Sequence, residues 1–356
     1  MKPKKPHWRL RLIVTWGTVL YLLALIGMTF TLEHCTERQW YYSPLLYLPP
    51  LGWLLPLVVL VPLALFYRQV MLLLHLLAVI IVFTGYMHYH APPEDEKKAG
   101  ADPVGPVLTV ITANIGQRPP KTVQPFLDQW DADVIAFQEA IYREKAFTLD
   151  NPGYNVRVEG EFSLATKLPI KNSGIVPDLT FEGRPVCAWF ELRFHNRSIV
   201  IYSVHMPTPR RYLMNLRGGG VMSELFRGGG MFSQEMQDEY KYSWDFRFNL
   251  MRGLLAFLEK EKRPTIMVGD FNTPDHGSLY KHFAAAYVDT FAAVGKGYGP
   301  TFPADVRSPL ALYRPWLRLD YQFVDDNWRP LECAVEHLAR AQHLAVAATY
   351  EFTPDE

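Results

Sequence analysis

The pattern of apolar and polar positions changes character near residue 90. Before it, Leu12 to Leu32, Leu45 to Tyr67 and Val70 to Tyr89 are long and almost uncharged. Each can cross the hydrocarbon core of a bilayer, and three in succession are hard to bury inside a soluble domain. Pro49, Pro50, Pro56 and Pro62 fall in the second stretch, which is expected to be kinked or partly re-entrant. The few residues around Arg68 and Gln69 suit a tight helical hairpin. His75, in the third, is read as facing a neighbouring helix.

Beyond residue 90 the apolar runs become short. Val107 to Ile111 and Val134 to Phe137 predict buried strands, and Val123, Phe126, Leu127 and Trp130 make Lys121–Trp130 an amphipathic helix between them. Cys187–Phe194 and Ser198–His205 flank His195-Asn196-Arg197 and predict a hairpin. Asp245 to Lys260 carries Leu250, Leu254, Phe257 and Leu258 on one helical face and leads into the apolar run before Gly269. Leu319 to Val324 and Leu344 to Thr349 are the late strands. Hairpins mixed with helix-linked strands indicate an α/β (α+β) class, a layered sheet sandwich with outer helices. The organisation expected is a membrane anchor over 1–90, a charged, Pro-containing linker over 91–106 and one domain over 107–356.

Charge adds an orientation. Lys2, Lys4, Lys5, Arg9 and Arg11 precede the first span, and Arg68 lies between the second and third. The loop holding Glu33, Glu37 and Arg38 is not basic, so the N-terminus is expected in the cytoplasm. Three spans then put the domain outside the cytoplasm, as part of a multi-pass cell-membrane protein. Lys plus Arg and Asp plus Glu balance at 36 each, which gives no strongly basic footprint for nucleic acid. Cys35, Cys187 and Cys333 are far apart, so neither a disulfide framework nor a structural zinc site is indicated.

Candidate chemistry gathers at strand ends. In PTIMVGDFNTP an apolar run stops at Gly269, and period-2 geometry points Asp270 and Asn272 to one face and Phe271 to the other. A carboxylate and an amide so placed suit water and phosphate, although Asp and Asn are also common in plain turns. Asn114, Glu139, His205, Asp320 and His343 occupy similar positions. Any one of them alone reads as a cap, a turn residue or a satisfied buried polar group. Together they supply carboxylates for a hard cation, amides for phosphate oxygens and imidazoles for proton transfer. With no Cys among them, Mg²⁺ or Mn²⁺ is favoured over zinc.

These residues sit in LTVITANIG (Asn114), ADVIAFQEA (Gln138, Glu139), IYSVHMPTP (His205), MVGDFNTP (Asp270, Asn272), RLDYQFV (Asp320) and AQHLAV (His343). In that order, from about Val107 to the C-terminus, the chain resembles the endonuclease/exonuclease/phosphatase superfamily of DNase I-like nucleases, sphingomyelinases and inositol polyphosphate 5-phosphatases. The three-span anchor also looks like that of bacterial membrane proteins carrying this domain. The resemblance implies a four-layer α/β sandwich, with Glu139 on a catalytic metal and Asn114 beside it. It implies that Asp270 orients or deprotonates water and that Asn272 contacts the scissile phosphate. His343 would be held by Asp320, and His205 would be a second catalytic histidine that also meets the substrate. The family's Ser-Asp-His is here Ala341-Gln342-His343, so Gln342 brings an amide oxygen to the metal site in place of a charge.

The expected function is that of a Mg²⁺- or Mn²⁺-dependent phosphoesterase. A diester of lipid, envelope or nucleic acid is favoured over a monoester, with the bilayer as neighbour and no obligate protein partner inferred. Two glycine triplets, Gly218–Gly220 and Gly228–Gly230, mark a long loop read as a flexible lid, with a disordered insertion as the alternative. Its Arg217 and Arg227 are candidate substrate contacts. The competing function is a catalytically silent ligand-binding or sensor domain, favoured by Gln342 and opposed by Glu139, Asp270, Asn272 and His205.

Overall fold

The computed structural model describes residues 7–35, 37–39, 43–90, 103–116, 123–141, 151, 153–209, 234–304, 315–337 and 342–353. Three helices, α1 (Trp8–His34), α2 (Pro50–Tyr67) and α3 (Gln69–Tyr86), are long and apolar enough to cross a membrane. Their outward faces expose side chains such as Leu20, Val58, Phe66 and Leu73, a surface suited to lipid. The prolines act locally. Pro50 lies in the opening 3₁₀ turn of α2, Pro56 sits in the first turn of its α-helical part, and the helix continues through Pro62. α2 begins later than the apolar run, because Ser43–Leu46 forms a separate turn. Inside the bundle, His75 Nε2 lies 2.9 Å from Thr18 Oγ1, tying α3 to α1.

The rest is two six-stranded sheets face to face. The first joins β1 (Val107–Asn114), β2 (Val134–Gln138), β3 (Asn155–Glu159), β4 (Phe162–Thr166), β13 (Trp328–Val335) and β14 (Val346–Phe352), in the order β13-β14-β1-β2-β4-β3. The second joins β5 (Ile170–Ile175), β8 (Cys187–Phe194), β9 (Arg197–His205), β10 (Thr265–Asp270), β11 (Val288–Asp289) and β12 (Asp320–Val324), in the order β11-β12-β10-β9-β8-β5. A two-stranded ribbon, β6 (Thr180–Phe181) with β7 (Arg184–Pro185), lies between β5 and β8 in sequence. Each sheet is built alike, with one parallel pair at its centre (β1 with β2, β9 with β10) and antiparallel neighbours on both sides.

Alternation along the strands fills both faces. Val110, Ala136, Leu164, Phe190, Ile201, Ile266 and Val268 close the space between the sheets. On the first sheet, Ile111, Ile135 and Ala347 face outward onto Phe126 and Leu127 of α4 (Gln124–Trp130). On the second, Tyr202, Met267 and Phe323 pack on Leu250, Met251 and Leu254 of α5 (Gln234–Leu258) and on Leu279 and Phe283 of α6 (Ser278–Ala286). Helix, sheet, sheet and helix are therefore the four layers. α5 is longer than its apolar stripe indicates, because Gln234–Tyr242 is rich in Glu, Gln, Met and Lys, which favour helix without marking a face.

The two parallel pairs set where polar side chains can gather, because their carboxyl ends emerge on the same edge of the sandwich. Close approach of β10 to β9 depends on Gly269, whose φ is 140° and where a Cβ would lie 2.0 Å from the Val204 carbonyl oxygen. Gly269→Ala is expected to cost at least ~3 kcal/mol and lower the thermal midpoint by on the order of 10 °C. Melting of the detergent-solubilised chain checks it. An unchanged midpoint would mean that the strands are not so tightly opposed.

Candidate active site

Four of the predicted residues end the central strands. Asn114 closes β1, Glu139 follows β2, His205 closes β9 and Asp270 closes β10. Asp320 opens β12 directly opposite Asp270, and His343 precedes β14. Buried apolar strands fix where these ends fall, so six polar side chains from five strands and a loop converge. Glu139 and Asn272 both take left-handed backbone, with φ of 49°, so the chain turns sharply just after β2 and β10.

Asp270 is the hub. It is 1% exposed, and its Oδ2 accepts from Asn114 Nδ2 at 3.0 Å and from Asn272 Nδ2 at 3.1 Å. Its Oδ1 accepts from the Asn272 backbone N–H at 2.9 Å. The turn and the site in GDFN are therefore one feature: an Asx turn that aims a carboxylate. Phe271 points away, as alternation requires, into Phe283, Tyr321 and Phe323. Asn272 Nδ2 also donates to the Met206 carbonyl at 2.8 Å, so its amide donors hold Asp270 and the β9 exit together.

Two imidazoles flank the same oxygen. His343 Nε2 is 3.6 Å and His205 Nε2 3.8 Å from Asp270 Oδ2. Each ring is held from behind by a second carboxylate, His343 Nδ1 by Asp320 Oδ2 at 2.9 Å and His205 Nδ1 by Glu161 Oε1 at 2.5 Å. Glu139 Oε1 completes the cluster, 3.4 Å from Asn114 Nδ2 and 3.6 Å from His205 Nε2, with its side chain partly open to solvent. Beside His205 and Glu161 opens a cavity of about 470 Å³, lined by Phe181, Arg184, Tyr242 and Phe246 among others.

Burial works against charge on both histidines, yet the carboxylates prevail. Asp320 and Asp270 carry His343 up to about 9, and Glu161 with Asp270 raises His205 above its ordinary value. Burial also raises Asp270, with His343 pulling the other way. Four carboxylates (Glu139, Glu161, Asp270, Asp320) against two imidazolium groups and Arg184, whose Nη1 lies 4.0 Å from Glu161 Oε2, leave one negative charge. Asp320 Oδ1 and Glu161 Oε2 are buried without a hydrogen-bond partner among the described residues. That surplus, on oxygen donors, matches a divalent cation.

Gln342 stands beside His343 but its side chain is exposed, and its backbone carbonyl accepts from Ala304 N–H at 2.7 Å. Arg217 and Arg227, with the glycine-rich loop, lie outside the described residues. The sequence pattern does not single out Glu161. In Glu159-Gly160-Glu161 it reads as a solvated turn, and only the apolar Phe162–Thr166 after it hints that it returns to the core. Arg247 escapes the pattern too; it is buried on α5 and donates from Nη2 to the Asn272 carbonyl at 2.7 Å.

Residues 111–341 match the Endonuclease/Exonuclease/phosphatase family. No curated protein matches the sequence. Among solved structures, the chain is similar to a humanized D. rerio TDP2 with 14 mutations, at 15% identity over 69% of this chain and 99% of that one, with a TM-score of 0.49. It is also similar to an endonuclease/exonuclease/phosphatase family protein from Bacteroides thetaiotaomicron, at 15% identity over 70% and 100%, with a TM-score of 0.49. A mannosyl-6-phosphatase from the same organism aligns at 16% identity over 69% and 100%, with a TM-score of 0.46.

The raised His343 makes a signed prediction for the metal-free protein. Its folded value lies above the unfolded 6.5, so its stabilisation is complete below pH 6.5 and is lost as pH rises through about 9. The full effect is on the order of 3 kcal/mol at most, and His343→Gln should flatten the decline. Histidine NMR titration checks it, and a His343 midpoint at or below 6.5 would contradict the geometry.

Proposed function

From a chain that belongs to the endonuclease/exonuclease/phosphatase family, we propose a divalent-metal-dependent phosphoesterase acting on phosphodiesters outside the cytoplasm. One observation carries the reading: a single buried oxygen, Asp270 Oδ2, is met by two amides and faced by two braced imidazoles. Glu139, with Asn114 beside it, would hold Mg²⁺ or Mn²⁺. When bound, the ion neutralises phosphoryl charge and polarises the P–O bond.

The remaining chemistry belongs to the chain. Asp270, fixed by Asn114 and Asn272, orients the attacking water and takes its proton. His205 and His343, kept cationic by Glu161 and Asp320, stabilise charge on the phosphoryl oxygens, and one of them protonates the leaving oxygen. Bracing from behind keeps both rings aimed without reorganisation during reaction. The cavity beside His205 has an apolar wall and two arginines, Arg184 and Arg247, which suits a leaving group with an apolar part.

The anchor supports a substrate at the membrane surface, a lipid headgroup diester first and nucleic acid second. Arg9, Arg11 and Arg68 lie at the bundle end away from the sandwich, where His7 and Tyr67 also meet. The opposite end contacts the loop directly after Asn272: Tyr47 Oη approaches the Asn272 carbonyl at 3.5 Å, and the Tyr86 carbonyl lies against His276. With the basic end in the cytoplasm, the site rests just outside the opposite leaflet.

Hydrolysis of bis-p-nitrophenyl phosphate and of phospholipid in mixed micelles tests this with Mg²⁺, Mn²⁺ or EDTA. Turnover is expected only with metal, faster on the diester than on p-nitrophenyl phosphate, and reduced about 10²–10⁴-fold in Asp270→Ala. Metal-independent turnover, or an unaffected Asp270→Ala, would sink the proposal. Phosphodiester binding without turnover under any metal would turn it into the silent binding domain.

A further inference from the structure

The bundle and the sandwich meet through the loop Thr273–Gly277, and one side chain there is out of balance. Asp275 is 2% exposed, yet its Oδ2 has no hydrogen-bond partner among the described residues. A buried carboxylate with unmade bonds is costly unless something compensates its charge. Arg318 is the nearest fixed cation, but its Nη1 and Nη2 are committed to Asp289 at 3.1 and 2.7 Å. Its Nε stays 3.9 Å from Asp275 Oδ2 and is itself unpartnered. The Arg318 fork is therefore spent on Asp289, and it reaches Asp275 only through the long Nε contact.

Two imidazoles surround the Asp275 carboxylate. His88, just past the end of α3, brings Nδ1 to 3.4 Å from Oδ2. His276, the next residue in the loop, has Nε2 at 3.8 Å from Oδ1. The two rings lie 3.9 Å apart between centroids, and one ligand atom from each of the three residues falls within 4.8 Å of the others. The Tyr86 carbonyl accepts from His276 Nε2 at 2.5 Å, so this ring would ligate through Nδ1, with the carbonyl as the outer bond that orients it. None of these residues belongs to the cluster around Asp270.

We propose that His88, Asp275 and His276 form a second metal site, which clamps the membrane bundle to the loop carrying Asn272. Two imidazole nitrogens and one carboxylate oxygen suit a borderline divalent ion of the zinc class rather than Mg²⁺ or Ca²⁺. The ion compensates Asp275 and joins residues 187 positions apart in the chain (275 minus 88). Its role is structural: it fixes where the active-site edge sits relative to the bilayer.

Co²⁺ reports on the site without relying on turnover. The full chain in detergent is stripped with chelator and titrated with Co²⁺, following the visible ligand-field absorption of a low-coordinate complex, and with Zn²⁺, following thermal unfolding. The chain and its Glu139→Gln variant are both expected to bind Co²⁺ with that absorption and to melt higher with Zn²⁺. His88→Ala, at a partly exposed position, is expected to weaken Co²⁺ at least about tenfold and to abolish the Zn²⁺ shift. Asp275→Asn should behave in the same way. Equal Co²⁺ affinity in His88→Ala, or loss of the absorption in Glu139→Gln alone, would overturn the proposal.

Discussion

A carboxylate as deeply buried as Asp270 can be kept only if the chain surrounds it with donors and positive charge, and much of the fold is arranged to do so. β1 delivers Asn114, the turn after β10 delivers Asn272, β9 delivers His205, and the approach to β14 delivers His343. These segments are distant in sequence and reach one point because the two parallel pairs run the same way and stop at the same edge. Glu161 and Asp320 then act through the histidines, so that positive charge persists at a buried position. The site is a consequence of register: shifting β9 against β10 by one residue would turn His205 to the opposite face.

The same economy governs the junction with the bundle. α6 is preceded by Gly277, which has no side chain to cap it, and Glu37 from the bundle supplies the missing acceptor for the Ser278 N–H at 2.9 Å. In return, Lys281 of α6 donates to the Leu32 and Glu33 carbonyls that end α1, at 3.1 and 2.8 Å. Each module completes a helix terminus of the other. Leu32, Tyr47 and Tyr86 pack with Leu317 and Leu319 around these bonds. The contact therefore combines exchanged helix-end hydrogen bonds with apolar filling, and it abuts the loop that follows Asn272.

What the sequence disclosed follows the physics of burial. β1, β2, β9 and β10 were legible because strands covered on both faces are β-branched and apolar nearly throughout, and β8 because Ala188, Phe190, Leu192 and Phe194 alternate toward the core. β3 and β13 were not, since Asn155–Glu159 and Trp328–Val335 are edge strands, half-exposed and carrying charged residues. Residues at the ends of legible strands were found, and their convergence came from the family resemblance rather than from periodicity. Glu161 escaped because a turn glutamate looks solvated until the fold turns it inward. Asp275, His276 and His88 escaped because nothing in a linear pattern says that a helix end and a loop so far along the chain will meet.

The proposed chemistry depends on a divalent ion being held at the strand-end edge by Glu139 and Asn114, within reach of Asp270. Crystals of the full chain soaked in Mn²⁺ and measured at the manganese absorption edge test this dependence without a substrate. An anomalous peak is expected between Glu139 and Asn114, and it should be lost in Glu139→Gln. Mn²⁺ bound only elsewhere in the chain, or a peak indifferent to Glu139, would contradict it.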